Sequence, residues 1–333
     1  MTFETLPKTA DSTLTRECVG EVHALIAATP FQPNRFLRSS ETNLTGYTLN
    51  CIAETLSENS GIAFVKRVSD RIVGLITVST LPWESRVLRR SVYAVKHLYV
   101  DDENTARGPQ AEALVRTAGE WANKRAVDLL ICKVYTDDMT AIPALENNGF
   151  RLMETGLNYV FDCKQALPAG RQCGEALVIR RADARDETAL AVAARLAFSH
   201  HFGRFHSDPR IDPDEATAIY EEWIRSSCRG YADAVFLAER GGEIAGFSVW
   251  KNPSAVELSA GIRAAHYSIG AVVPQFQGKG LFQALTLEGM RMYHAGTSLI
   301  EGPTNLKNLG VQRGYQKLGW QLRDSYYSFH KWL

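Results

Sequence analysis

The sequence predicts an α/β chain built from two tandem units, and three observations predict it. Strand-like and helix-like segments alternate in both halves, which argues for mixed α/β units. Two stretches share the order strand, loop, helix, strand: VKHLYVDDENTARGPQAEALVRTAGEWANKRAVDLLICKVY and HYSIGAVVPQFQGKGLFQALTLEGMRMYHAGTSLIEG. Arg107 lies 42 residues before Gly149 and Gln277 lies 42 before Gly319, so the repeat has an offset of 170 residues. The length of 333 residues agrees, being about two domains at ~150 residues each.

Taken in order, the first unit opens with a short strand and amphipathic helices and reaches the strand YAVKHLYV, rich in β-formers. Ala111, Leu114, Val115, Ala118 and Ala122 then recur at helical spacing and form one apolar stripe. PALENNGFRLMETGLNYVFD follows, and then the joint QALPAGRQCGEA at 165–176, with Pro, Gly and small residues and no periodicity. This gives a first domain at 1–165, a linker at 166–176 and a second domain at 177–333. In the second, ALVIRRADARDETALAVAARLAF reads as strand, turn and helix. The strand HYSIGAVV leads into a helix whose expected stripe is Leu281, Ala284, Leu285 and Met292, and GYQKLGWQLRDSYYSFHKW ends the repeat.

Charge removes several function classes. Lys plus Arg number 37 and Asp plus Glu 37, with a pI near 7.1. That balance lacks the attraction a nucleic-acid or anionic-membrane binder needs. The start, MTFETLPKTADS, has neither a basic nor an apolar signal region, and no run approaches ~18 apolar residues. Six cysteines are scattered without a C-x-x-C pair, so the expectation is reduced thiols in a cytoplasmic protein without a metal site.

The chemistry concentrates in VVPQFQGKGLFQAL, residues 272–285. A buried strand ends at a Pro, passes a Gly-rich turn and enters a helix. Glycines let backbone N–H groups approach a ligand, and a helix N-terminus adds unpaired donors, so diphosphate is the natural guest. A Walker A loop is excluded, because Val273 occupies its first glycine position and Gly280 follows Lys279. A dinucleotide fingerprint is absent here. By itself, a G-K-G turn is equally a plain strand-to-helix connection.

A second motif adds context. Asn308 stands seven residues before Tyr315 in NLGVQRGYQKLGW, after one strand and before another. Together the two motifs resemble the GNAT superfamily of N-acetyltransferases. Its acetyl-CoA loop, Q/R-x-x-G-x-G/A, is matched by Gln277 and Gly280, with Phe282 as a departure; its later Asn…Tyr motif is matched by Asn308, Tyr315 and Trp320. The resemblance implies two tandem GNAT-like domains, each a mixed, mostly antiparallel sheet flanked by helices. It implies acetyl-CoA held by Ala271, Val272, Gln277, Gly278, Lys279, Gly280, Leu281, Phe282 and Asn308. It further implies direct attack by a deprotonated amine, with Tyr315 protonating the departing thiolate. His266 and Glu301 are read as structural or solvated, and the general base is left unassigned.

The first half lacks these groups. At the 170-residue offset Lys279 becomes Pro109, Gly280 becomes Gln110, Phe282 becomes Glu112, Asn308 becomes Asp138 and Tyr315 becomes Leu145. It is expected to be degenerate, kept for packing or for shaping the substrate cleft. For the acceptor, the segment HHFGRFHSDPRIDPDEATAIYEEWIRSSCRG is similar to the corresponding part of dTDP-fucosamine acetyltransferase-like enzymes. That likeness implies an amine on a nucleotide-linked sugar, with Arg204, Phe205, His206, Arg210 and Tyr220 as binding residues. Another small amine, a protein N-terminus and a non-catalytic acyl-CoA-binding role stay open, as does a homodimer.

Overall fold

A computed structural model describes residues 4–6, 16–37, 42–57, 61–101, 107–170 and 177–333. The periodicities read from the sequence become the same order of elements twice. The first repeat is β1 (Glu4–Thr5), α1 (Arg16–Ala28), α2 (Leu44–Ser57), β2 (Ile62–Val68), β3 (Arg71–Thr80), α3 (Pro82–Leu88), β4 (Val92–Val100), α4 (Arg107–Asn123), β5 (Leu129–Tyr135), α5 (Ala141–Asn147) and β6 (Arg151–Asp162). The second is β7 (Leu177–Arg181), α6 (Glu187–Phe198), α7 (Pro213–Ser226), β8 (Ala234–Arg240), β9 (Glu243–Lys251), α8 (Ala255–Ser259), β10 (Ala264–Val272), α9 (Leu281–Tyr293), β11 (Leu299–Asn305), α10 (Leu309–Lys317) and β12 (Gln321–Trp332). No helix among the described residues is long and apolar enough to cross a membrane.

The chain packs as two units, and their limits differ from the joint at 165–176. One unit contains 1–153, 255–262 and 326–333; the other contains 154–254 and 263–325. Residues 171–176 of the expected linker lie outside the described residues. The strand order is β1-β2-β3-β4-β5-β12 in the first unit and β7-β8-β9-β10-β11-β6 in the second. Neighbours are antiparallel except one pair in each, β4 with β5 and β10 with β11. The last strand of each repeat therefore completes the sheet of the other unit. A two-residue alternation specifies a strand and its buried face but not its partner, so this exchange is silent in the sequence.

Each sheet is covered on both faces. In the first unit Leu114, Val115 and Ala118 of α4 pack with Ile76, Val78 and Phe329 on one side. Val22, Ile26, Ile52 and Leu56 of α1 and α2 pack with Leu75 on the other. In the second unit α9 and α10 bring Met290 and Tyr315 against Trp250, Tyr267 and Ile300. The expected stripe of α9 needs one correction: Met292 is 44% exposed. The buried positions instead run Leu281, Leu285, Gly289 and Tyr293, at spacings of four. Gly289 sets this face, because a Cβ there would lie 1.9 Å from the Trp250 ring. Two acidic caps position the segment before and after α6. Asp183 and Asp186 form a capping box at its entry, and Asp212 accepts the Asp214 N–H at the start of α7.

Candidate active site

The Gly-rich turn follows from local chain geometry. After β10 the Val273 N–H donates to the Ala245 carbonyl, and Pro274–Phe276 make a single 3₁₀ turn. Gly278 and Gly280 have φ of 76° and 82°. An L-residue pays roughly 1–2 kcal/mol in that left-handed region, so both positions call for glycine. Gly280 is the N-cap of α9, whose first N–H groups lack intrahelical partners. The Gln277 side chain folds back and donates to the Val272 carbonyl at 3.0 Å. Lys279 donates to the Gln275 carbonyl at 3.4 Å, which turns its ammonium along the loop.

Beside this turn the sheet opens. β10 and β11 pair only at Ala264–His266 with Leu299–Glu301. A bulge follows between Tyr267 and Ile269, and from there to Val272 β10 keeps its register with β9 alone. Because the Val273 N–H lies on the β9 side, the alternate residues Gly270 and Val272 turn their backbone to the gap on the β11 edge, where an extended amide-bearing chain can pair as a strand would. A cavity of about 580 Å³ occupies this region, within the range of small-molecule sites. Of the nine positions named for the acyl donor, Ala271, Val272, Gln277, Gly278, Gly280, Leu281, Phe282 and Asn308 line it, and Lys279 does not. The Asn308 side chain also caps α10, accepting the Val311 N–H at 3.3 Å.

Several lining residues were not read from the sequence. Arg313 and Lys317, one helical turn apart on α10, put two cations on the wall. Their i, i+4 spacing after Asn308 was the available signal. His200, His201 and Phe202 line the same cavity from the segment after α6. Burial, then repulsion from His206, holds the His201 imidazole down at about 4, so it is neutral at pH 7.

Phe282, the departure from the glycine motif, has a fitted place. Its ring meets Tyr267 and Tyr315 edge-on, at centroid distances of 6.2 and 5.5 Å. A Cβ on Gly314 would lie 2.5 Å from that ring, so α10 makes room for it with a glycine. Tyr315 lies beneath rather than in the cavity wall. It is fully buried, stacked on Trp320 at 4.5 Å and tilted against Tyr159 at 5.3 Å. Its hydroxyl packs on Gly302 and has no hydrogen-bond partner among the described residues. Burial, with Tyr267 adding to it, pushes the phenol well above its ordinary range.

The residues expected to bind the acceptor lie away from the cavity wall, Arg210 exposed and the other four at least half-buried. Phe205 and Tyr220 are buried, with Tyr220 stacked on Phe198 at 4.2 Å. Arg204 lays its guanidinium over Phe205 at 4.5 Å, and its backbone N–H donates to Glu154 at 2.9 Å. His206 pairs with the Thr217 hydroxyl at 3.2 Å, and burial lowers its pKa, which favours the uncharged ring. The backbone N–H of Arg210 donates to Asp208 at 3.0 Å. None of the five lines the cavity; the three residues His200–Phe202 just before them do.

No protein-family model matches the chain. It is 23% identical over 279 residues to the spore coat polysaccharide biosynthesis protein SpsD of Bacillus subtilis strain 168, covering 79% of this chain and 86% of that one. It is 30% identical over 104 residues to human N-acetyltransferase 8, covering 31% of this chain and 44% of that one, less than half its length. Among solved structures, a GCN5-related N-acetyltransferase from Sphaerobacter thermophilus superposes with a TM-score of 0.67 at 16% identity, over 99% of this chain and 95% of the other. A tandem GNAT protein from the clavulanic acid biosynthesis pathway, solved without AcCoA, gives 0.59 at 16%, over 99% and 98%. The chain has the tandem GNAT fold.

The two units of the chain differ where the cavity would be. In the first unit the matching positions Leu98, Val100, Arg107, Ala111 and Asp138 surround only about 20 Å³, with Phe31 beside them. β4 and β5 also part after Val95 and Cys132, so the strands open as in the second unit. The opening is filled by larger side chains: by strand register Leu98 stands where the second repeat has Gly270, and Leu145 replaces Tyr315 in the core. Asp138 accepts the N–H groups of Thr140 and Ala141, capping α5.

Proposed function

We propose that the chain is an acetyl-CoA-dependent N-acetyltransferase whose acceptor is a primary amine on a nucleotide-linked amino sugar. The observation that carries this is the 580 Å³ cavity at the parted strands, closed by the Gly278–Gly280 turn, set against 20 Å³ at the matching place in the first unit. The turn and the α9 N-terminus would hold the pyrophosphate, with Arg313 and Lys317 as charged partners. The pantetheine amides would pair with the open edge at Gly270 and Val272, Ala271 lying between them. Tyr315 would give its proton to the departing sulfur, and the orphaned hydroxyl supports that role. Likeness to a polysaccharide biosynthesis protein supports a sugar acceptor.

A second reading, an acyl-CoA-binding protein without turnover, is favoured by Phe282, which touches both the cavity and Tyr315. Calorimetry with acetyl-CoA, followed by thiol release with a panel of amino-sugar nucleotides, separates the two. The expected result is one acetyl-CoA per chain, lost in Gly280→Asp, and thiol release with a sugar nucleotide. Two sites per chain would reject the degenerate first unit, and binding without release would select the second reading.

A further inference from the structure

The cavity beside the Gly278–Gly280 turn is one-sided in charge. Arg313 and Lys317 line it, and no Asp or Glu does among the described residues. Both side chains are exposed, and neither has a hydrogen bond or ion pair among the described residues. By contrast Lys279 is turned along the loop onto the Gln275 carbonyl, and Arg291, outside this cavity, is paired with Glu288. The first repeat, whose matching space is only about 20 Å³, has Pro143 and Asn147 at the positions of the two cations. The pair of charges therefore accompanies the open cavity.

Lys317 stands at one end of it. Lys317 and Gln283 also line a second cavity of about 350 Å³, which has apolar walls at Ala284, Leu287 and Leu318. On the acetyl-CoA reading above, on which this inference rests, the pyrophosphate takes the turn and the α9 N-terminus, and the pantetheine takes the parted strands. The nucleoside end is then the part left to pass Gln283 and Lys317, toward walls that suit a purine face. That end carries a phosphate monoester on its ribose, mostly a dianion at pH 7 because its second pKa is ~6. The turn amides meet the pyrophosphate, so the monoester is the group still without partners. An ammonium on a long stem binds phosphate as a point charge, and a guanidinium adds two parallel donors. We propose that Lys317 reads the ribose 3′-phosphate of acetyl-CoA, with Arg313, one turn back toward Asn308, shared between that phosphate and the pyrophosphate. The two cations then select the complete coenzyme over acyl donors that lack the 3′-phosphate.

The test uses the full chain, with calorimetry and thiol release, and compares acetyl-CoA with acetyl-dephospho-CoA at low salt. Acetyl-CoA is expected to bind about tenfold tighter, an advantage that shrinks as KCl is added because exposed charges are screened. Lys317→Gln should remove most of that advantage by weakening acetyl-CoA alone, and its unchanged affinity for acetyl-dephospho-CoA will show that it is folded. Lys317→Arg should keep the advantage. In thiol release the loss should fall on the acetyl-CoA KM with kcat unchanged, since the phosphate is remote from the thioester. Equal wild-type affinity for the two donors would overturn the proposal and leave acetyl transfer standing. So would a Lys317→Gln variant that weakens both donors alike, or one that raises only the KM of the amino-sugar nucleotide, which would give the cations to the acceptor's diphosphate. Failure of the wild type to bind either donor would overturn the acetyl-CoA reading itself.

Discussion

A buried hydroxyl without a partner is costly, by about 1–3 kcal/mol, unless something it serves repays it. Tyr315 carries such a hydroxyl at the inner end of the parted strands, packed on Gly302. Changing Tyr315 to Phe removes that one atom and keeps the stack on Trp320. The thermal midpoint should therefore stay or rise, and acetyl-CoA affinity should hold. Turnover should fall by ~10²–10⁴, which thiol-release kinetics will show. Loss of stability with normal turnover would make Tyr315 a packing residue only. At this scale the sequence marked Tyr315 by its spacing from Asn308. It could not mark the His266–Glu301 pair, because the two residues are 35 positions apart and meet only through a parallel strand pairing.

At the scale of elements, the contact of α9 with α10 decides what an unusual residue does. Phe282 breaks the glycine pattern of the turn, and Gly314 supplies the space its ring needs. Gly314→Ala should push that ring by steric overlap, destabilising the second unit by ~1–3 kcal/mol in urea unfolding. The displaced ring borders the cavity, so acetyl-CoA affinity should fall with it. Adding Phe282→Ala should relieve the overlap and recover affinity, a coupling that a double-mutant cycle measures. Independent effects of the two changes would deny the contact. Sequence alone left Phe282 equally able to crowd the cavity or to face the core, since helical periodicity does not say where a neighbouring helix has a gap.

At the scale of the molecule, each unit depends on the other repeat's last strand. Phe329 of β12 is 1% exposed in the first unit's core, and Tyr326–Trp332 pair with Leu129–Tyr135 of β5. Ending the chain at Ser325 should accelerate hydrogen exchange along β5 and destabilise the first unit by ~3–5 kcal/mol, the usual loss for one buried Phe. β11, paired with β6, should keep its protection. Equal protection of β5 in both forms would refute the exchange of strands. A fragment beginning at residue 177 should lack β6, and with it the partner of β11.

The sequence by itself determined the repeat, the order of strands and helices within it, and the turn and helix that frame the cavity. These are local properties: an apolar period, glycines where φ is positive, caps at helix starts. It also showed that the first repeat lacks the polar groups of the second, because that needs only an offset. The tertiary structure decided which strand pairs with which, why Arg204 and Tyr220 stand away from the cavity wall while His200–Phe202 line it, and that His266 meets Glu301. Those facts depend on contacts between residues far apart in the chain, where a side chain's surroundings, not its spacing, fix its burial, its charge and its partner.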